Sequence, residues 1–177
     1  MPLGPPHRLS FYARDSRRVA RELVGCRLVH RLDDGLRLVV RLVEVEAYLG
    51  DGSDPASHAH RAAAVLLRAA EPIEGLDRMR SLRGLPRDAP AELIARGPGR
   101  LAQALGLELA DDGQNLLHGA LTLHRPAQGA ARVRVVSGPR VGISRAAELP
   151  YRYFEAESRW VPSPRAGPRR RRRKPAA

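Results

Sequence analysis

The chain has 177 residues, 43% of them hydrophobic, and a formal net charge of +12; that is enough apolar material for one core and too little chain for two full domains. Half of the charge sits in Arg169, Arg170, Arg171, Arg172, Arg173 and Lys174, so the body is basic without this run. Such a surface suits a polyanion, since each neutralised phosphate releases condensed counterions, although charge alone fits a merely well-solvated protein equally well. The single cysteine, Cys26, excludes a disulfide, a Cys-rich zinc site and an iron–sulfur centre; Pro2, Pro5, Pro6 and His7 stand where a signal peptide needs an apolar stretch, and no run has the length of a membrane span.

Residues 1–10 read as an N-terminal arm. Asp15 caps a helix over 16–24, with Val19, Ala20, Leu23 and Val24 as its apolar stripe and Gly25 as its stop. Residues 26–32 alternate as a strand, Asp33-Asp34-Gly35 is a hairpin signal, and 36–48 form a long return strand. Short helices are expected over 72–82 and 91–95. Gly97-Pro98-Gly99 then leads into another at 100–105 and either presents amides to a phosphate beside Arg100 or only turns the chain. Residues 121–124, 132–136 and 151–154 read as strands. The pattern predicts an α+β fold, a single domain over 11–161 with a curved, mainly antiparallel sheet and short peripheral helices. The Pro, Gly and Arg composition of 162–177 predicts a disordered tail.

The long strand carries the chemistry. Its even positions read Leu38, Val40, Leu42, Glu44, Glu46 and Tyr48, so alternation predicts an apolar face that runs into two carboxylates and a ring. Glu46 and Tyr48 are two apart and point the same way. A lone Glu at a strand end usually just faces water, so the context must decide.

That context is the run from Val43-Glu44-Val45-Glu46-Ala47-Tyr48-Leu49-Gly50 to Asp54-Pro55-Ala56-Ser57-His58. Val65-Leu66-Leu67-Arg68-Ala69-Ala70-Glu71-Pro72, Gly97-Pro98-Gly99-Arg100-Leu101 and Gly138-Pro139-Arg140-Val141-Gly142-Ile143-Ser144 follow in order. Together these segments resemble the 3-methyladenine DNA glycosylase family of the alkyladenine type, over most of the chain from Phe11 to about Val161. The resemblance implies excision of alkylated purines from DNA. Glu46 would activate water and Arg68 would lie near that water and the backbone, unless it simply pairs with Glu71. Tyr48 and His58 would hold the flipped base, and the main chain at Val141 would help to position the water. It also implies DNA with damaged bases as the partner of a cytoplasmic monomer, nucleoid-associated if bacterial, with no metal, cofactor or membrane contact. Lys174 is the only lysine, so no pocket amine is available for the Schiff base of a strand-cutting enzyme.

One part departs from the family. Between His60 and Val65 stand only Arg61-Ala62-Ala63-Ala64. The family has several dozen residues there, forming a Tyr-rich hairpin that wedges into the duplex. Without the hairpin, unpaired sheet edges are expected, and an inactive DNA-binding remnant is the alternative function.

Overall fold

The computed structural model describes residues 3–57 and 63–162. Within them α1 (Leu9–Tyr12) and α2 (Ser16–Leu23) precede β1 (Arg27–Arg31) and β2 (Arg37–Tyr48). β3 (Ala64–Glu74), α3 (Leu76–Leu82), α4 (Pro98–Leu105), β4 (Leu121–His124), β5 (Val135–Gly138) and β6 (Arg152–Glu155) complete the order. The fold is α+β, with one open sheet in which every pairing among the described residues is antiparallel. The order is β4-β1-β2-β6-β5. β1 and then β6 line one edge of β2, and β3 runs along its other edge.

The helix expected after Asp15 forms because that side chain accepts bonds from the amides of Arg17, at 2.9 Å, and Arg18, at 3.4 Å. Such a cap is worth about 1 kcal/mol. Val19, Ala20 and Leu23 on its buried face join Leu28, Leu38, Val40 and Leu42 in the main core, and their removal from water holds α2 on the sheet. The arm lies along the sheet edge: Pro6 bridges His124, and the amide of His7 donates to the carbonyl of Leu123 at 3.0 Å.

Simple alternation does not hold along β2. Leu38, Val40 and Leu42 enter the main core, but so do Val45 and Ala47, whereas Val43 packs with Ala69 and Trp160 in a second cluster. The parity changes at a bulge: Leu42 pairs with Ala70 and Glu44 with Ala69, which leaves Val43 as an extra residue. A bulge inserts one residue into a strand and re-aims the side chains beyond it. Glu44, Glu46 and Tyr48 therefore lie on the face opposite Leu38, Val40 and Leu42 rather than continuing it. A second irregularity comes at once, since Ala69 opposes Glu44 and Leu67 opposes Val45, leaving Arg68 unpaired in the ladder.

Several expected boundaries shift. Residues 72–74 belong to β3, and the helix begins only after Gly75, whose φ is 82°. An added Cβ there would stand 2.5 Å from Leu38 Cδ2, so the turn into α3 requires glycine. The sequence carries no strand signal at 64–71, because half-buried side chains at 64–67 and buried ones at 68–70 follow in blocks without alternation. Residues 91–93 form one 3-10 turn, α4 starts at Pro98, and the strand expected at 132–136 lies at 135–138. Among the described residues the outer edge of β3 carries one bridge, Ala69 to Arg96, and the bond from the Ala70 amide to the Ala95 carbonyl.

Candidate active site

The far end of β2 gathers charge that should be costly to bury. Glu44 and Glu46 are fully buried, and Arg68 and Arg152 are nearly so. Isolated charges would neutralise there, so each persists only with partners. Glu46 has four. Its Oε1 accepts from the Val141 amide at 2.8 Å and lies 3.3 Å from Arg68 Nε. Its Oε2 accepts from the Tyr48 hydroxyl at 2.9 Å and from Arg68 Nη1 at 3.4 Å.

The two bulges produce this arrangement. Val43 turns Glu44 and Glu46 away from the main core, and the unpaired position of Arg68 sends its guanidinium between them. Arg68 Nε donates to Glu44 Oε1 at 3.1 Å, while Arg152, opposite Glu46 on β6, donates to the same oxygen at 2.5 Å. Two carboxylates thus meet two guanidiniums. Glu71 instead pairs with Arg41 at 2.6 Å, which settles the alternative for Arg68. Tyr48 keeps its proton: burial first, then the neighbouring charge of Glu46, pushes its hydroxyl up to about 12.

A third buried pair stands beside the cluster. Arg140 Nη1 and Nη2 donate to the two oxygens of Asp54 at 2.6 and 2.7 Å, the bidentate geometry that guanidinium and carboxylate favour. The bond from Arg140 holds the Asp54 carboxyl down at about 2. The guanidinium lies 4.7 Å from the centre of the Tyr48 ring and 5.3 Å from that of Tyr151.

The structure thus brings Glu46, Tyr48, Arg68 and the Val141 main chain together. Gly97, Gly99 and Arg100 stand elsewhere, at the start of α4 just past the bridge from Ala69 to Arg96. His58, Arg169, Arg170, Arg171, Arg172, Arg173 and Lys174 lie outside the described residues. Asp54, Arg140 and Arg152 received no role from sequence reasoning. Their partners are 86 and 108 positions away, and no local pattern reveals such pairs. Among the described residues no group of three or more His, Cys, Asp or Glu is placed to hold a metal ion, and no helix is long and apolar enough to cross a membrane.

The family model described as Methylpurine-DNA glycosylase (MPG) matches residues 10–63 and 59–159. The chain belongs to this family. A relative from Methanoculleus marisnigri is 37% identical, covering 86% of this chain and 96% of its own length. Relatives from Rhodopseudomonas palustris and Chlorobaculum parvum are each 35% identical, with 92% and 93% of this chain covered and 92% and 94% of theirs. All three carry the name "Putative 3-methyladenine DNA glycosylase". This methylpurine-DNA glycosylase homologue matches its family in two segments that meet at residues 59–63. The alignment with the Methanoculleus protein spans 191 positions, more than the chain's 177 residues, so that relative holds residues for which this chain has no counterpart.

Proposed function

We propose that this protein releases alkylated purines of the 3-methyladenine type from DNA by hydrolysing the N-glycosidic bond, with Glu46 activating the water. The observation that carries this reading is a fully buried carboxylate held on both oxygens by the Val141 amide, the Tyr48 hydroxyl and Arg68, in a chain of the methylpurine-DNA glycosylase family. As the base departs with the bonding electrons, the sugar becomes oxocarbenium-like. Water then attacks the anomeric carbon and gives its proton to Glu46, whose charge also offsets the sugar cation. An alkylated purine is already positive and leaves as a neutral base, so one carboxylate suffices.

Arg68 orients Glu46 through contacts to both of its oxygens. Tyr48 and His58 hold the flipped base, and Gly97, Gly99 and Arg100 meet a backbone phosphate at the start of α4. The cations at 169–174 add affinity that does not depend on sequence. With Lys174 as the only lysine, the enzyme is monofunctional and leaves the strand intact. It acts as a monomer without a cofactor, in the cytoplasm or at the nucleoid.

A second reading, a DNA-binding remnant without turnover, is favoured by the break in the family match at 59–63. Unstacking a paired base costs a few kcal/mol, which a wedge would offset. Incubation with methylated DNA, single-stranded and duplex, separates the two readings. Free 3-methyladenine, faster from the single strand and without strand breaks, is the expected result. DNA binding without release from either substrate selects the remnant.

A further inference from the structure

The Arg140–Asp54 pair takes no part in the steps above, although both of its side chains are fully buried. Replacing such a pair by well-packed apolar groups is often neutral or stabilising, so stability alone is a weak reason for it. Its connections suggest a different one. Arg140 Nη1 also donates to the Ala47 carbonyl at 3.0 Å, and Nη2 to that of Ala146 at 3.4 Å. Asp54 accepts from the amides of Leu49, at 3.2 Å, and Ala56, at 3.1 Å. One ion pair therefore ties the end of β2 to the chain segments around Asp54 and around Arg140.

The residues next to these ties touch Glu46. Val141 follows Arg140 and places its amide 2.8 Å from Glu46 Oε1. Tyr48 follows Ala47, lies under the Arg140 guanidinium and places its hydroxyl 2.9 Å from Glu46 Oε2. The two shortest bonds to the carboxylate thus come from residues that Arg140 holds.

We propose that Arg140, clamped by Asp54, is a positioning residue that fixes the Val141 amide and the Tyr48 hydroxyl on the two oxygens of Glu46, setting the carboxylate's orientation before substrate arrives. Reactions of positioned groups are steep in distance: a displacement of about 1 Å can cost about 100-fold in rate. Lysine would keep the charge at 140 but lose the fork that spans both oxygens.

This inference rests on the reading of Glu46 as the water-activating group, and the test separates the two. The double variant Asp54→Asn with Arg140→Met removes both charges together, and Arg140→Lys alone keeps one. Amide hydrogen exchange is followed at Val141 and, as a control, at Leu28 in β1, beside release of 3-methyladenine from methylated single-stranded DNA. The double variant should exchange the Val141 amide at least about tenfold faster with Leu28 unchanged, and its kcat should fall about 100-fold with DNA affinity unaltered. Arg140→Lys should lie between it and the wild type on both measures. Should the double variant fail to fold, Arg140→Lys carries the test. Unchanged Val141 protection, or a kcat within about threefold of wild type in an active protein, overturns the positioning role. A wild type that releases no base overturns the proposed function instead, and the exchange data alone then decide the role of Arg140.

Discussion

Two corners of the molecule bury ionisable groups and treat them in opposite ways. At the end of β2, Glu44, Glu46, Asp54, Arg68, Arg140 and Arg152 are all buried, and each meets an opposite charge. Where the arm crosses the end of α2, His7 and Cys26 are buried against each other, Nε2 to Sγ at 3.4 Å, and among the described residues no salt bridge engages either. Burial, helped by Arg125 and Arg14, pushes the imidazole down to about 4, and burial pushes the thiol up to about 12. Both groups are therefore neutral near pH 7. The thiol donates to the Glu22 carbonyl at 3.2 Å. A Cys–His contact with a protonated thiol is packing, not a nucleophile and its base. At the proposed site each of these buried charged side chains meets a counter-charge, whereas the two groups under the arm are, among the described residues, buried without one in neutral form.

The contrast can be broken most forcefully at Arg68. Among the described residues, Arg68→Ala leaves Glu46 without a cation within ion-pair distance and Glu44 with Arg152 alone. The expected loss is about 3–5 kcal/mol in denaturant unfolding. A loss below about 1 kcal/mol, the scale of an exposed pair, would mean that the charges do not support one another.

Acid titration then separates the two corners. The folded-state value of His7, about 4, lies below the ordinary 6.5, so the unfolded chain binds the proton first as pH falls. Its contribution to stability is present above pH 6.5 and is lost between there and pH 4, by up to about 3 kcal/mol. Asp54 acts in a lower window, with its contribution present above the ordinary 3.8 and lost as pH falls toward 2, by about 2 kcal/mol. Stability curves should show both steps. His7→Gln should flatten the upper one only, and coincident loss of both would contradict the assignment. The smallest effect belongs to Cys26→Ala: about 1 kcal/mol from a small cavity and no change in base release. A large fall in activity would reinstate the thiol as a functional group.

Much of the fold was legible in the sequence, the contrast between the two corners was not, and the missing parts share a cause. The capped helix after Asp15, the hairpin at Asp33-Asp34-Gly35 and the pairing of Glu46 with Tyr48 are local patterns, and the structure shows all of them. The bulge at Val43 is not local in the same sense, because it exists only relative to Ala69 and Ala70 on β3. Alternation therefore assigned the carboxylates to the wrong face while keeping them correctly together. The roles of Asp54, Arg140 and Arg152 stayed hidden for a related reason. Arginine is abundant in this chain, and nothing near Arg140 or Arg152 marks it as the buried partner of a distant carboxylate.

The central claim is that Glu46 accepts the proton of the attacking water. Glu46→Gln keeps the shape and removes the base. Release of 3-methyladenine from methylated single-stranded DNA should therefore fall by at least about 100-fold, the low end of what a general base contributes, while affinity for the same DNA stays within twofold of wild type, a tolerance of roughly 0.4 kcal/mol. Release by the Gln variant within about tenfold of wild type, or about 1.4 kcal/mol of barrier, would contradict the claim.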